Sequence, residues 1–207
     1  MPSYELLYFN AYGRAEPIRQ CFTYAGIPFK DNRIEFNDWP TTKGDTKRIP
    51  YGQVPILLID GKPLAESHTI TRYAGRVSKL DGNTPEETAF IDQAYEITRT
   101  FYDSAFPYFK VVLGFSEGDK EQLKKEVFAP AAEKQLKNIE NLLQPSGFFG
   151  PSGPTYVDFF YAQITEFYNQ HAPEVLGKYP ASLEHAKRVH RLSQLQEYFK
   201  NRPSANF

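Results

Sequence analysis

The sequence changes character once, near residue 80, and that change limits what the chain can fold into. Before it, short β-rich runs alternate with helical ones; after the turn-rich stretch SKLDGNTPEE everything reads as helix. YELLYF has the composition of a strand, and EPIRQCFTYAG that of a helix with Pro17 in its first turn and Gly26 at the C′ position. FKDNRIEF alternates as a strand should, and ILLID is an apolar run suited to a buried strand. Asp60-Gly61 is a hairpin signal joining ILLID to a short strand around KPLA. SHTITRYAGRV closes the unit as a helix that Ser67 is placed to cap. Strands and helices in this order are expected to build a small mixed α/β sheet.

The remainder predicts an all-α domain. Thr84 and Glu87 stand in capping-box positions with Pro85 at the first helical residue, so a long helix starts there. A second helix runs through EQLKKEVFAPAAEKQLKNIENLL, where Pro130 should kink it. Thr155 with Asp158 forms another capping box ahead of a third helix, and one or two more end the chain. The expected domains are residues 1–78 and 84–207.

Composition then excludes whole classes of function. The 207 residues suffice for one large domain or two small ones. A net charge of −1 argues against a nucleic-acid partner or an anionic membrane, either of which normally leaves a basic excess. The single cysteine, Cys21, rules out an internal disulfide and a CxxC pair, and its apolar neighbours make it a buried small hydrophobe. No apolar stretch reaches the length of a membrane span, and MPSYE begins without a basic flank or signal core, so a cytoplasmic protein is expected. His68, His171, His185 and His190 are scattered, and no bound metal is expected.

Chemistry enters with Tyr8, which stands where the first strand ends and the chain turns toward a helix. Ligands in α/β sheets bind at the carboxyl ends of strands, which makes this phenol a site candidate, although a strand tyrosine packed in the core accounts for it too. Trp39, the only tryptophan, lies in the long polar loop NDWPTTKGDTKRIPYGQVP, either as a binding residue or as part of a loop folded over the core. Ser67 at a helix start suits a carboxylate ligand as well as it suits a plain cap.

Together LLYFNAYGRAEPIR, the Trp39 and Lys43 of DWPTTK, YGQVP and ESHTITRYAGR resemble the cytosolic glutathione transferases, over nearly the whole chain. A tyrosine ending the first strand, GRAE and DNRI are most similar to the sigma class, notably its nematode-like members. The resemblance implies a thioredoxin-like domain (β-α-β-α-β-β-α) followed by an all-helical domain, a homodimer, and glutathione as co-substrate. Tyr8 and Arg14 would then be catalytic. A thiol of pKa about 8.5 is mostly protonated at neutral pH. Lowering it by ~2 units needs roughly 2.7 kcal/mol, within reach of one phenol hydrogen bond and a nearby cation.

Glutathione-binding roles follow for Trp39 and Lys43 at the glycyl carboxylate and for Gln53, Val54 and Pro55, with a cis peptide before Pro55 turning the Val54 backbone toward the tripeptide. Ser67 would take the γ-glutamyl carboxylate and Glu66 its α-ammonium. Relatives often use an aspartate from the partner subunit for that ammonium, but EITRTFYD offers Arg99 and Thr100 centrally, with Glu96 and Asp103 one turn to either side. Tyr51 resembles the aromatic key of the dimer, and Phe9, Tyr108 and Phe160 are expected to wall an apolar second substrate. The expected activity is conjugation of glutathione to small apolar electrophiles in detoxification. A prostaglandin D synthase-like isomerase, a ligandin holding apolar ligands or haem, and a lens-type structural protein are the alternatives.

Overall fold

The computed structural model describes residues 2–205, which form two compact units. One is made of the chain up to Leu80 and again from Leu192; the other is Asp81–Arg191.

The first unit is built on a four-stranded sheet in the order β2-β1-β3-β4. Strands β1 (Tyr4–Phe9) and β2 (Lys30–Ile34) pair in parallel across helix α1 (Glu16–Tyr24). A short helix α2 (Trp39–Thr42) interrupts the long polar loop, and β3 (Ile56–Ile59) and β4 (Lys62–Leu64) then pair antiparallel through the expected Asp60-Gly61 turn. Helix α3 (Ser67–Val77) closes the unit.

The side-chain alternation of β1 decides where its residues go. Tyr4, Leu6 and Tyr8 share one face, where Tyr4 stacks on Phe22 of α1 with ring centroids 5.0 Å apart. Leu7 lies on the other face in a cluster with Ile34, Ile49, Ile56 and Leu58, against which Trp39 and Val54 pack. Burying an apolar face on each side of the sheet fixes its register, because a slip of one residue would turn the set over.

The second unit is helical. Thr84 caps α4 (Pro85–Val112) by accepting the Glu87 N–H at 3.2 Å. The Glu87 carboxylate reaches back to the Asn83 N–H at 2.7 Å, so the expected box closes one residue earlier than Thr84. Asp119 caps α5 (Lys120–Leu123), and α6 (Ala129–Glu140) follows after a π-helical turn at Lys124–Phe128. Pro130 has no N–H and its ring collides with the carbonyl four residues back, so the kink expected there takes the form of one widened turn.

Helix α7 (Tyr156–His171) is buried along most of its length, and α8 (Pro173–Leu176) and α9 (Pro180–His190) complete the unit. The Thr155 N–H donates to Asp158 Oδ2 at 2.6 Å, giving the expected capping box, while Asp158 Oδ1 lies 2.7 Å from His185 Nε2 in the unit's interior. Helix α10 (Gln196–Asn201) belongs to the first unit, which departs from the expected 84–207 domain. The reason is a buried carboxylate on α1: Glu16 accepts from Tyr198 at 2.8 Å and from Arg202 at 2.6 Å.

Candidate functional site

The Tyr8 ring is 7% exposed at the carboxyl end of β1, and its hydroxyl accepts the backbone N–H of Arg14 at 3.2 Å. Two features of the intervening turn permit this. Gly13 has φ +41°, a left-handed conformation that side chains disfavour, and a Cβ placed there would come within 2.6 Å of the Tyr8 hydroxyl oxygen. Glycine therefore lets the backbone close onto the phenol. An N–H donated to that oxygen polarises the hydroxyl toward giving up its own proton in a hydrogen bond. The guanidinium carbon of Arg19, a fully buried residue, lies 5.9 Å from the centroid of the same ring.

Beside this turn runs a cleft lined by Arg14, Tyr51, Gln53, Val54, Pro55, Ala65, Glu66 and Ser67. The structure thus brings six of the expected binding and catalytic residues, and Tyr51 with them, to one depression. The Val54–Pro55 peptide is cis. Helix α3 starts at Ser67, so the N-cap position falls to Glu66, which makes no side-chain cap bond; the expected Ser67 cap is displaced by one residue. Glu66 holds φ +70°, a conformation costing on the order of 1–3 kcal/mol for a residue with a side chain and commonest at ligand clamps. Ser67 itself is 8% exposed.

Trp39 and Lys43 are one helical turn apart, with the Lys43 N–H donating to the Trp39 carbonyl at 3.0 Å. Trp39 is half-buried, its ring 5.1 Å from Phe9 edge to face, and Phe9 stacks on Phe36 at 4.7 Å. Lys43 is exposed. In the helical unit Tyr108 stacks on Phe128 at 5.4 Å and Phe160 packs on Tyr95 at 5.1 Å, both interior residues. Burial raises the Tyr108 hydroxyl above its ordinary pKa. The two alternative carboxylates of α4 are both held by Arg99, Glu96 at 2.7 Å and Asp103 at 2.7 Å. Cys21 is buried, which pushes its thiol far up.

Gly13, Glu16 and Arg19 are what sequence reasoning missed. A glycine between a strand and a helix start is a visible signal, but its contact with a phenol five residues earlier needs the folded turn. Among the described residues no group of His, Cys, Asp and Glu could hold a metal ion, and no helix is long and apolar enough to cross a membrane.

Comparison with known proteins places this geometry in a family. Residues 4–76 match the glutathione S-transferase N-terminal domain and residues 102–202 the glutathione S-transferase C-terminal domain. A probable glutathione S-transferase 5 of Caenorhabditis elegans is 37% identical over the full length of both chains. Hematopoietic prostaglandin D synthase of Gallus gallus is 34% identical over 98% of each chain. Among solved structures, a major nematode-specific glutathione transferase of C. elegans superposes with a TM-score of 0.93 at 37% identity, covering all of both chains. The monomeric Na-GST-3 of Necator americanus superposes with a TM-score of 0.90 at 33% identity over 99% of this chain and all of its own. The chain belongs to the glutathione S-transferase family.

Proposed function

We propose that the protein binds glutathione along the cleft of Arg14, Gln53, Val54, Pro55, Glu66 and Ser67, with Trp39 and Lys43 on the glycyl carboxylate. Tyr8 then stabilises the thiolate, which adds to small apolar electrophiles in detoxification. In this proposal the protein is a sigma-like, cytoplasmic homodimer that uses no metal. The Tyr8 hydroxyl, held by the Arg14 N–H at 3.2 Å at the mouth of β1, is the observation that carries it. A donor aimed at sulfur favours the charged form over the neutral one, which is the differential interaction that lowers a thiol pKa.

Tyr8→Phe is expected to leave glutathione affinity within a few-fold while lowering kcat by about ten- to a thousandfold, since the hydroxyl acts on a small part of the tripeptide. Ultraviolet titration of the bound thiol against pH is the measurement. An unchanged thiol pKa in the variant removes Tyr8 from the role.

Kinship with a prostaglandin D synthase favours a second reaction at the same thiolate, isomerisation of an endoperoxide. Incubation with an endoperoxide decides it: a rearranged product with glutathione regenerated marks the isomerase, and a stable conjugate marks the transferase.

A further inference from the structure

The turn that carries Tyr8 and Arg14 is braced from the far end of the chain. Glu16, 0% exposed on α1, accepts from Arg202 Nη1 at 2.6 Å through Oε1 and from the Tyr198 hydroxyl at 2.8 Å through Oε2. The Arg202 guanidinium also covers the ring of Tyr12 at 4.2 Å and that of Phe199 at 4.8 Å. Tyr12 and Glu16 flank Gly13–Ala15, the short helical turn that presents the Arg14 N–H to Tyr8. From beneath, Arg19 Nη1 donates to the carbonyls of Ala11 at 2.7 Å and Tyr12 at 3.4 Å, and sits 3.5 Å from Glu16 Oε2.

We propose that Arg202 is a positioning residue for the Tyr8–Arg14 turn, acting through Glu16 and Tyr12, so that the C-terminal segment helps set the reactivity of the thiol. This rests on the assignment of Tyr8 to the thiolate above.

The charges around the turn give the direction of the effect. Arg14 is on the turn itself, Glu16 and Arg19 on α1, Asp31 and Arg33 on β2, and Tyr198 and Arg202 on the C-terminal segment. Asp31 is committed to Arg19 at 3.0 Å and to Arg33 at 2.7 Å. Burial first, and then Glu16, hold the Tyr198 hydroxyl far up, so it remains a neutral donor. Arg19, Arg33 and Arg202 therefore face the two carboxylates Glu16 and Asp31. With Arg14 on the turn as well, removing Arg202 reduces the surplus of positive charge around the turn and leaves Glu16 without one of its two arginine partners. Arg19 is the cation at hand, and drawing it toward Glu16 takes it from the Ala11 and Tyr12 carbonyls that hold the turn. Both consequences disfavour an anion beside Tyr8.

Arg202→Met keeps the apolar stem and deletes the charge; Arg202→Lys keeps the charge and loses the planar fork. Bound-thiol pKa by ultraviolet titration, kcat with a chlorodinitrobenzene, and glutathione affinity by calorimetry are measured on the full-length chain. Arg202→Met is expected to raise the thiol pKa by about half a unit to one unit and to lower kcat by roughly three- to tenfold, with glutathione affinity within about twofold. Arg202→Lys recovers most of both changes, which a purely structural anchor of the tail would not do in a pH titration. A folded Arg202→Met with unchanged thiol pKa overturns the proposal, whatever its melting temperature. If that variant does not fold, Tyr198→Phe decides: a smaller shift in the same direction supports the coupling, and no shift overturns it. Tyr8→Phe run alongside separates the two inferences. A normal thiol pKa there refutes the role of Tyr8, whereas a raised one together with a normal value for Arg202→Met refutes the role of Arg202 alone.

Discussion

At the scale of single residues, the site combines conformations that an average protein avoids. Gly13 has φ +41° where a Cβ would strike the Tyr8 hydroxyl, and Glu66 has φ +70° with a side chain. The second case allows a clean experiment on charge. Glu66→Gln keeps the length and shape of the side chain, so whatever the backbone strain costs is equal in both proteins, and only the negative charge differs. Arg99 already holds Glu96 and Asp103, and Glu66 lines the cleft, so in the proposed reading Glu66 is the carboxylate assigned to the α-ammonium of glutathione. Glu66 is exposed, and exposed pairs contribute little, but glutathione bound along the cleft as proposed would cover it. Affinity of Glu66→Gln for glutathione is expected to fall about three- to tenfold, roughly 0.7–1.4 kcal/mol, with the loss shrinking at high salt. Calorimetric titration with glutathione and with an analogue lacking the α-amino group is the check. Equal losses for both ligands return the ammonium to another carboxylate.

Elements were legible where local chemistry specifies them, and less so where distant residues do. β1 falls on YELLYF, β3 within ILLID and α4 at Thr84-Pro85, because alternation, apolar runs and capping residues act within a few positions. Ser67 moves from cap to first helical residue because Glu66 takes a positive φ that no composition signals. The Pro130 kink appears as a π turn at Lys124–Phe128, a form that a proline in the sequence does not by itself distinguish from a bend. Resemblance singled out Tyr8 and Arg14, which the fold brings into contact at 3.2 Å, while the Glu16–Arg202 pair, 186 positions apart, was not legible. The β1–β2 edge offers a prediction that depends on such contacts. Glu5 accepts from Arg48 at 2.6 Å and Asn32 at 2.9 Å, and meets Lys30 at 3.1 Å. Burial pushes its carboxyl up, but these donors together outweigh burial and hold it below the usual range. As pH falls, the unfolded chain protonates first, so the stability Glu5 contributes is present above the ordinary carboxylate pKa and lost as pH drops through the depressed value. Glu5→Gln should therefore lower Tm by about 2–4 °C at neutral pH, for a contribution of about 1 kcal/mol, and the gap should close as pH falls below the ordinary carboxylate range. A gap that stays constant through that fall assigns the effect to packing instead of charge.

In the proposed homodimer, the state of the whole molecule turns on a surface residue. A monomeric relative with the same fold shows that the architecture does not by itself impose pairing, so association must be encoded by particular exposed side chains. Tyr51 is the strongest candidate: it is 73% exposed beside Gly52, on the rim of the cleft that Gln53 and Ser67 line. A phenol ring left in water at that level has most of its apolar area still to bury, and covering it in a partner is worth about 2 kcal/mol. In a two-fold dimer every contact occurs twice, so truncating Tyr51 removes both rings at once. Tyr51→Ala is therefore expected to weaken dimerisation by about 4 kcal/mol, on the order of a thousandfold in Kd. Sedimentation velocity across nanomolar to micromolar protein measures this directly, with the wild type expected as a dimer at micromolar concentration and the variant dissociating within that range. A wild-type chain that sediments as a monomer at micromolar concentration sinks the homodimer. An unshifted Kd in the variant moves the key to another surface. Because Tyr51 also lines the cleft, a dimer that depends on it should tighten when glutathione binds, and by linkage, with two sites per dimer, glutathione should bind each site of the dimer better than the monomer by the square root of that factor. Repeating the sedimentation series with saturating glutathione tests that reciprocity, and an identical dimer Kd with and without the tripeptide shows the two events to be independent.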